Sequence, residues 1–210
     1  MYVKEETMRK TAAEAAETRQ AILRAALDEF SQRGYSATTL DGIARAAGVT
    51  RGAVYWHFAS KAALYEELLR AFGGQAGAIM GAAAAEGGDF ITICQRILTR
   101  LLTRLEEDRE LRAVMELSLF KTEHTAELAG VVANQRASMN ELIAQLAGIM
   151  QAGIAQGALR AGLDPWDVAR GFLAYQQGIF HLWLTDPDAF SLRERASALA
   201  DLFIRGIRAL

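Results

Sequence analysis

The residues best equipped for chemistry lie between Thr38 and Lys61, in the run TTLDGIARAAGVTRGAVYWHFASK. Thr50, Arg51, Gly52, Ala53, Tyr55, Trp56 and His57 bring together hydroxyls, a guanidinium, two aromatic rings, an imidazole and two residues small enough for a backbone to approach a surface closely. No acid lies between Asp41 and Glu66, whereas Arg45, Arg51 and Lys61 do. This is the chemistry of holding a polyanion. Cations neutralise phosphates, hydroxyls position them, and an arginine fork matches the acceptor edge of guanine. The competing reading, a solvated helix pair inside an all-helical domain, leaves two large exposed aromatics without a reason.

Bond-making chemistry finds little support. His57, His124 and His181 are scattered, and Cys94, the single cysteine, has no partner at metal-ligand spacing. No glycine-rich phosphate loop follows a strand, and no nucleophile elbow occurs. The acid cluster from Glu106 to Glu110 reads as a solvated helix end. The sequence therefore predicts no enzyme, no cofactor and no metal site. An all-helical small-molecule carrier or enzyme is the weak alternative.

Two short helices joined by a tight turn must hold the polyanion-binding groups. The first starts near Thr39 and turns Leu40, Ile43, Ala44 and Ala47 inward. Gly48 follows, where a left-handed backbone is cheap only for glycine, and Val49 fills the corner. Thr50 is an N-cap for a second helix, Arg51 to Phe58, anchored by Val54 and Phe58. A small residue at the crossing, a turn glycine and a branched anchor make a helix-turn-helix. Upstream, Thr11 to Glu14 form a capping-box start for a bracing helix with Ile22, Ala26 and Phe30 inside and Gly34 at its end. Residues 1–10 read as a solvated arm from which Arg9 and Lys10 can reach DNA.

The run IARAAGVTRGAVYWHFASKAALY resembles the DNA-binding signature of the TetR family of bacterial repressors. The likeness is ungapped and extends back through Thr18-Arg19 to the helix ending at Gly34. The run LWLTDPDAFSL is similar to the AcrR-like branch, whose members often repress multidrug efflux pumps. The resemblance implies an all-α fold. An N-terminal three-helix helix-turn-helix domain (1–59) precedes a larger helical ligand-binding and dimerisation domain (60–210), with about nine helices in all. One departure is Gly42, where the family often carries an acid that completes a capping box with Thr39. Either the first turn frays, or Asp41 caps toward Thr38 instead.

Composition agrees with a helical protein. The 210 residues are 51% hydrophobic with only two prolines, Pro165 and Pro187, and both prolines fall between helical patterns. Net charge is −2, yet residues 1–61 hold nine Lys/Arg against seven Asp/Glu, so the positive character is local to the proposed reading head. The N-terminus lacks the apolar core of a secretory signal, and Ala71 to Ala85 is too short and glycine-broken to span a bilayer. A lone cysteine excludes an intrachain disulfide and fits a cytoplasmic location.

Beyond the reading head, Ser60 caps a helix with Lys61 in its first turn, where a cation is mildly unfavourable unless it holds a phosphate. The glycines from Gly73 to Gly81 predict that this helix bends or ends early. Later helix starts are marked by Asp89, by Asp164-Pro165 and by Ser191 to Glu194. The last two helices carry wide apolar stripes, including Tyr175, Leu182, Leu199 and Leu202, that predict a homodimer. In the family these helices form a four-helix bundle with their twofold mates. Polar groups within apolar stripes predict a small-molecule cavity. Its lining is Phe72, the pairs Leu98/Leu102 and Ile143/Ala147, Glu116 with Phe120, and Gln177 with His181. Arg112 is a competing partner for Glu116, and Gln177 and His181 are equally well read as dimer-interface polars.

Together these features predict a ligand-responsive repressor that binds a palindromic operator on double-stranded DNA as a dimer. Arg51 would read guanine, Tyr55 would touch a thymine methyl or phosphate, and Thr39, Thr50, Trp56, His57 and Lys61 would fix the backbone. An apolar or amphipathic drug-like effector would release DNA, with efflux control favoured by the branch resemblance. The alternatives are metabolic or signalling control and nonspecific DNA packaging.

Overall fold

A computed structural model describes residues 2–123 and 125–209; His124 and the side chains of residues 2–11 and Phe72 lie outside the described set, so Arg9, Lys10 and Phe72 are not discussed further. Nine α-helices occur among the described residues. They are α1 (Tyr2–Ala37), α2 (Leu40–Ala46), α3 (Arg51–His57), α4 (Lys61–Ala85), α5 (Phe90–Glu107), α6 (Arg109–Phe120), α7 (Ala129–Ala155), α8 (Pro165–Thr185) and α9 (Leu192–Ile207). A single 3-10 turn covers Ala126–Leu128. The one extended pairing among the described residues is an isolated bridge between Leu159 and Arg208.

The chain forms two compact units, one from Met1–Ala71 with Ala113–Val131 and the other from Phe72–Arg112 with Val132–Leu210. In the first, Ile22, Ala26 and Phe30 of α1 are fully buried with Ile43 of α2, Val54 of α3 and Leu64 of α4. Phe30, Tyr35 and Tyr65 form an aromatic cluster with ring centroids 5.3–6.1 Å apart. Helix α1 starts well before Thr11, because no glycine or proline interrupts the sequence before Gly34. At Gly34 the backbone leaves helical geometry (φ 75°), as the glycine there predicts. The segment after α6 is tied to this end of α1. Tyr35 N–H donates to Lys121 O at 3.3 Å, Lys121 Nζ to Ser31 O at 2.9 Å, and Ser36 Oγ to Glu123 Oε2 at 3.0 Å.

In the second unit α5 packs mainly on α9, with Leu98, Leu102 and Leu105 fully buried alongside Ala196 and Ala200. Local caps fix the helix starts. Asp89 accepts from Thr92 N at 2.7 Å, Asp164 from Trp166 N at 2.7 Å and Asp167 N at 3.1 Å, and Ser191 Oγ from Glu194 N at 3.2 Å. Glu106 is not merely a solvated helix end. Its carboxylate accepts from Ser191 Oγ at 3.1 Å and from Arg193 N at 2.7 Å, so it caps α9 from across the unit. Helix α4 does not end early; it runs to Ala85, so the glycines do not stop it. Cys94 is buried, and burial pushes its thiol up to about 11, which leaves it protonated and unreactive at neutral pH.

Candidate nucleic-acid interface

The reading head is assembled by two N-caps and one glycine turn. Thr39 Oγ1 accepts from Gly42 N at 3.1 Å and starts α2 without help from an acid at position 42. A side chain at Gly42 would meet Thr39 Oγ1 at 3.3 Å and Glu29 Oε2 at 3.4 Å, so an acid there would confront a second carboxylate. Asp41 does not cap toward Thr38. Thr38 is buried and gives its hydroxyl to Gly34 O at 2.8 Å. Gly48 takes the left-handed conformation (φ 68°). Thr50 Oγ1 then accepts from Ala53 N at 3.1 Å and starts α3.

This leaves one face of α3 facing solvent. Val54 and Phe58 are buried against the core, while Arg51, Gly52, Tyr55 and Trp56 are exposed, Trp56 at 74%. A Cβ on Gly52 would meet only Thr50 Oγ1, at 3.8 Å, so the backbone is open to a close approach. Arg51 Nη1 donates to Asp41 Oδ2 at 3.2 Å and Nη2 donates to Tyr55 Oη at 3.2 Å, with the guanidinium 5.4 Å from the centre of the Tyr55 ring. The Tyr55 hydroxyl and then the Asp41 carboxylate raise the proton affinity of Arg51, so its positive charge is secure. His57 stands edge-on to Trp56 at 4.5 Å. Burial, and secondarily the Arg19 charge, hold its imidazole below the ordinary histidine range, so it is neutral at neutral pH. Arg19 itself lies over the Phe58 ring at 5.0 Å and pairs with Glu67 at 2.9 Å, bracing the end of α3 against α1 and α4.

Lys61 makes contacts within the head that the sequence did not reveal. Its ammonium donates to Tyr35 O at 3.0 Å and Thr38 O at 3.1 Å, stands over the Tyr35 ring at 4.3 Å, and is only 15% exposed. Two of its three donors are thus spent on carbonyls at the end of α1, and the residue acts first as an internal clamp. Arg45, counted in the sequence only as a nearby cation, lines a shallow depression beside Gly42 with Glu29, Arg33 and Ala46. The described residues contain no group of three or more His, Cys, Asp or Glu that could hold a metal, and no helix among them is long and apolar enough to cross a membrane.

Two short helices, a left-handed glycine between them and an outward cationic, aromatic face match known proteins over both halves of the chain. Residues 22–68 match the model for bacterial regulatory proteins of the tetR family, and residues 89–208 match the C-terminal region of MAATS-type transcriptional repressors. The chain belongs to the TetR family. It is 36% identical over 189 residues to the HTH-type transcriptional regulator AcrR of Shigella flexneri, covering 90% of this chain and 88% of that protein. The crystal structure of NalD, the secondary repressor of the MexAB-OprM multidrug efflux pump in Pseudomonas aeruginosa, superposes with a TM-score of 0.81 at 30% identity, covering 93% of this chain and 98% of that one. SmeT of Stenotrophomonas maltophilia in complex with triclosan gives 0.80 at 26% identity, covering 91% and 92%.

The residues that the sequence proposed as lining a small-molecule cavity are distributed unevenly. Leu98, Leu102 and Ala147 are buried in the second unit and Ile143 is half-buried. Gln177 and His181 are exposed on α8 within this chain. The buried polar residue on that helix is Gln176, one position away. The 100° turn per residue decides which amide enters the core, and two adjacent glutamines conceal that choice in the sequence. Glu116 and Phe120 belong to the first unit, where Phe120 is exposed and Glu116 pairs with Lys121 at 3.9 Å rather than with Arg112. The Arg112 guanidinium instead lies over the Trp183 ring at 4.8 Å and bonds Glu106 O.

Proposed function

We propose that this TetR-family protein is a ligand-released repressor that binds a palindromic operator as a homodimer. The observation that carries the reading is the solvent-facing side of α3, which presents Arg51, Gly52, Tyr55 and Trp56 on a helix whose opposite side is locked into the core. A helix presented this way fits the major groove, with Arg51 on a guanine edge and Tyr55, Trp56 and His57 beside the backbone. Thr39 and Thr50 serve chiefly as caps that set the depth of entry. Twofold symmetry would place two such helices roughly 34–36 Å apart, one turn of DNA.

The dimer is supported by an exposed apolar face of the last two helices. Leu182 of α8 and Leu202 of α9 are 66% and 67% exposed, beside exposed Gly178 and Gly206, whose lack of side chains permits close helix contact. Gln177 and His181 lie on the same exposed side of α8 and would be interface polars. Likeness to NalD and SmeT, both named as repressors of multidrug efflux pumps, supports control of a multidrug efflux operon by a cytoplasmic regulator, and the triclosan held by SmeT supports a small, mostly apolar effector. The apolar residues Leu98, Leu102, Ile143 and Ala147, with the amide of Gln176, suit such a ligand once the interior opens.

Binding of purified protein to duplexes spanning its own promoter, by fluorescence anisotropy, tests the assignment. Arg51→Ala should cost about 1–3 kcal/mol on the preferred duplex and relax the requirement at one base pair per half-site. An unchanged base preference in that variant contradicts the role given to Arg51, and indifference to inverted repeats contradicts the operator.

A further inference from the structure

An acid on a surface built for phosphates lowers affinity unless it has another task, and Asp41 is the one acid in the helix-turn-helix. It occupies the first turn of α2, where a negative charge favours the helix N-terminus, but that benefit does not require contact with α3. Yet its Oδ2 lies 3.2 Å from Arg51 Nη1, across the turn that joins the two helices.

The surroundings of Arg51 make the contact informative. The guanidinium meets the Asp41 carboxylate at one terminal nitrogen, the Tyr55 hydroxyl at the other and the Tyr55 ring alongside. Contacts on three sides restrict the rotamers of an otherwise flexible arginine before DNA arrives. Two of its five N–H donors are used, leaving one on each terminal nitrogen and the Nε–H. That suffices for the bidentate bond to guanine O6 and N7.

We propose that Asp41 is a positioning residue for base readout: it holds the Arg51 fork at the angle that guanine requires, giving up some affinity for all DNA in exchange for discrimination at one base pair. The inference rests on Arg51 being the base-reading residue. It separates two properties that a structural role would move together. Removing the carboxylate removes a repulsion from every phosphate nearby, so sequence-independent binding strengthens. It also frees the guanidinium, so base preference weakens.

The test uses the full-length protein as wild type, Asp41→Asn, Arg51→Ala and the double variant. Each is titrated by anisotropy against the operator duplex, duplexes with each guanine replaced in turn, and an unrelated duplex. Thermal melts run in parallel, and Asp41→Ser, which retains a side-chain oxygen for the first turn of α2, repeats the series should Asp41→Asn lose stability. Asp41→Asn should bind the unrelated duplex at least as tightly as wild type and lose about five- to tenfold of its discrimination at the guanine read by Arg51, with little further loss in the Arg51→Ala background. Wild-type discrimination in Asp41→Asn overturns the proposal, as do losses that add across the two positions. Tighter operator binding with discrimination intact also overturns it, because Asp41 would then be a latch that DNA must displace. If Arg51→Ala discriminates as well as wild type, the base-reading role fails first and takes the proposal with it.

Discussion

Replacing Lys61 by methionine separates two physical roles for one cation. Methionine keeps most of the apolar stem and removes the ammonium. In the folded head that ammonium donates to Tyr35 O and Thr38 O at 3.0 and 3.1 Å and is 15% exposed. A hydrogen bond from a charged donor contributes about 1.5–3 kcal/mol, and its loss leaves the acceptor to find water. Tyr35 O retains the Thr38 amide at 3.3 Å, so its loss is partial. Glu127, at 3.9 Å and half in solvent, adds little. The expected destabilisation is therefore about 2–3 kcal/mol, a substantial share of the 5–15 kcal/mol typical of a domain. In urea, with a slope of roughly 2–3 kcal/mol per molar, the midpoint should fall by about 1 M without a change in slope. Hydrogen exchange should quicken in α2 and α3 before α5 and α9. If Lys61 served only as a phosphate contact, the variant would unfold like wild type while the salt dependence of operator binding fell by about one phosphate. That pair of results would refute the clamp.

Two further outcomes follow from the same geometry. His57 has a depressed proton affinity in the free protein, so folding releases a proton between its folded pKa and the unfolded value near 6.5. Its contribution to stability should thus be complete above that value and diminish as pH falls through the window, whereas phosphates favour the charged imidazole, so operator affinity should rise over the same descent. His57→Asn should flatten both profiles, read by urea titration and anisotropy from pH 5 to 8. At the proposed dimer face, Leu182→Asp with Leu202→Asp should give a monomer by sedimentation while leaving the helical content unchanged, and should abolish preference for inverted repeats. A dimer surviving both changes would locate the interface elsewhere.

What was legible in the sequence was what short range decides. Thr39, Thr50, Asp89, Asp164 and Ser191 cap helices through bonds to residues two or three positions onward, and Gly48 declares a left-handed turn by itself. The buried anchors Ile43, Val54 and Phe58 followed from helical spacing for the same reason. Long-range partners were not legible. The inward turn of Lys61 depends on carbonyls 23 and 26 residues upstream, and the capping of α9 by Glu106 spans 85 and 87 residues. Asp41 and Arg51 are only ten residues apart, yet the turn that joins them had to be built before their contact could be seen. Which glutamine of α8 turns inward was not legible either, because Gln176 and Gln177 are chemically identical and differ only by one step of rotation.

The chain passes between its two compact units three times. It does so inside α4, α6 and α7, each continuous through the passage. Such helical continuity resists bending, because bending breaks backbone hydrogen bonds. The exception along α4 is its second half, where Cβ atoms on Gly73, Gly74, Gly77 and Gly81 would meet nothing within 4 Å. Glycine in a helix interior costs about 0.5–1 kcal/mol relative to alanine, so these positions lower the work of deforming α4 without serving any packing need within the chain. Through α6 the reading head is held differently: Lys121 and Glu123 are bonded directly to Ser31, Tyr35 and Ser36 at the end of α1, the helix that supports α2 and α3. For the ligand-released repression proposed above, an effector must bind the state that does not hold DNA more tightly than the state that does, and that affinity ratio bounds the release it can produce.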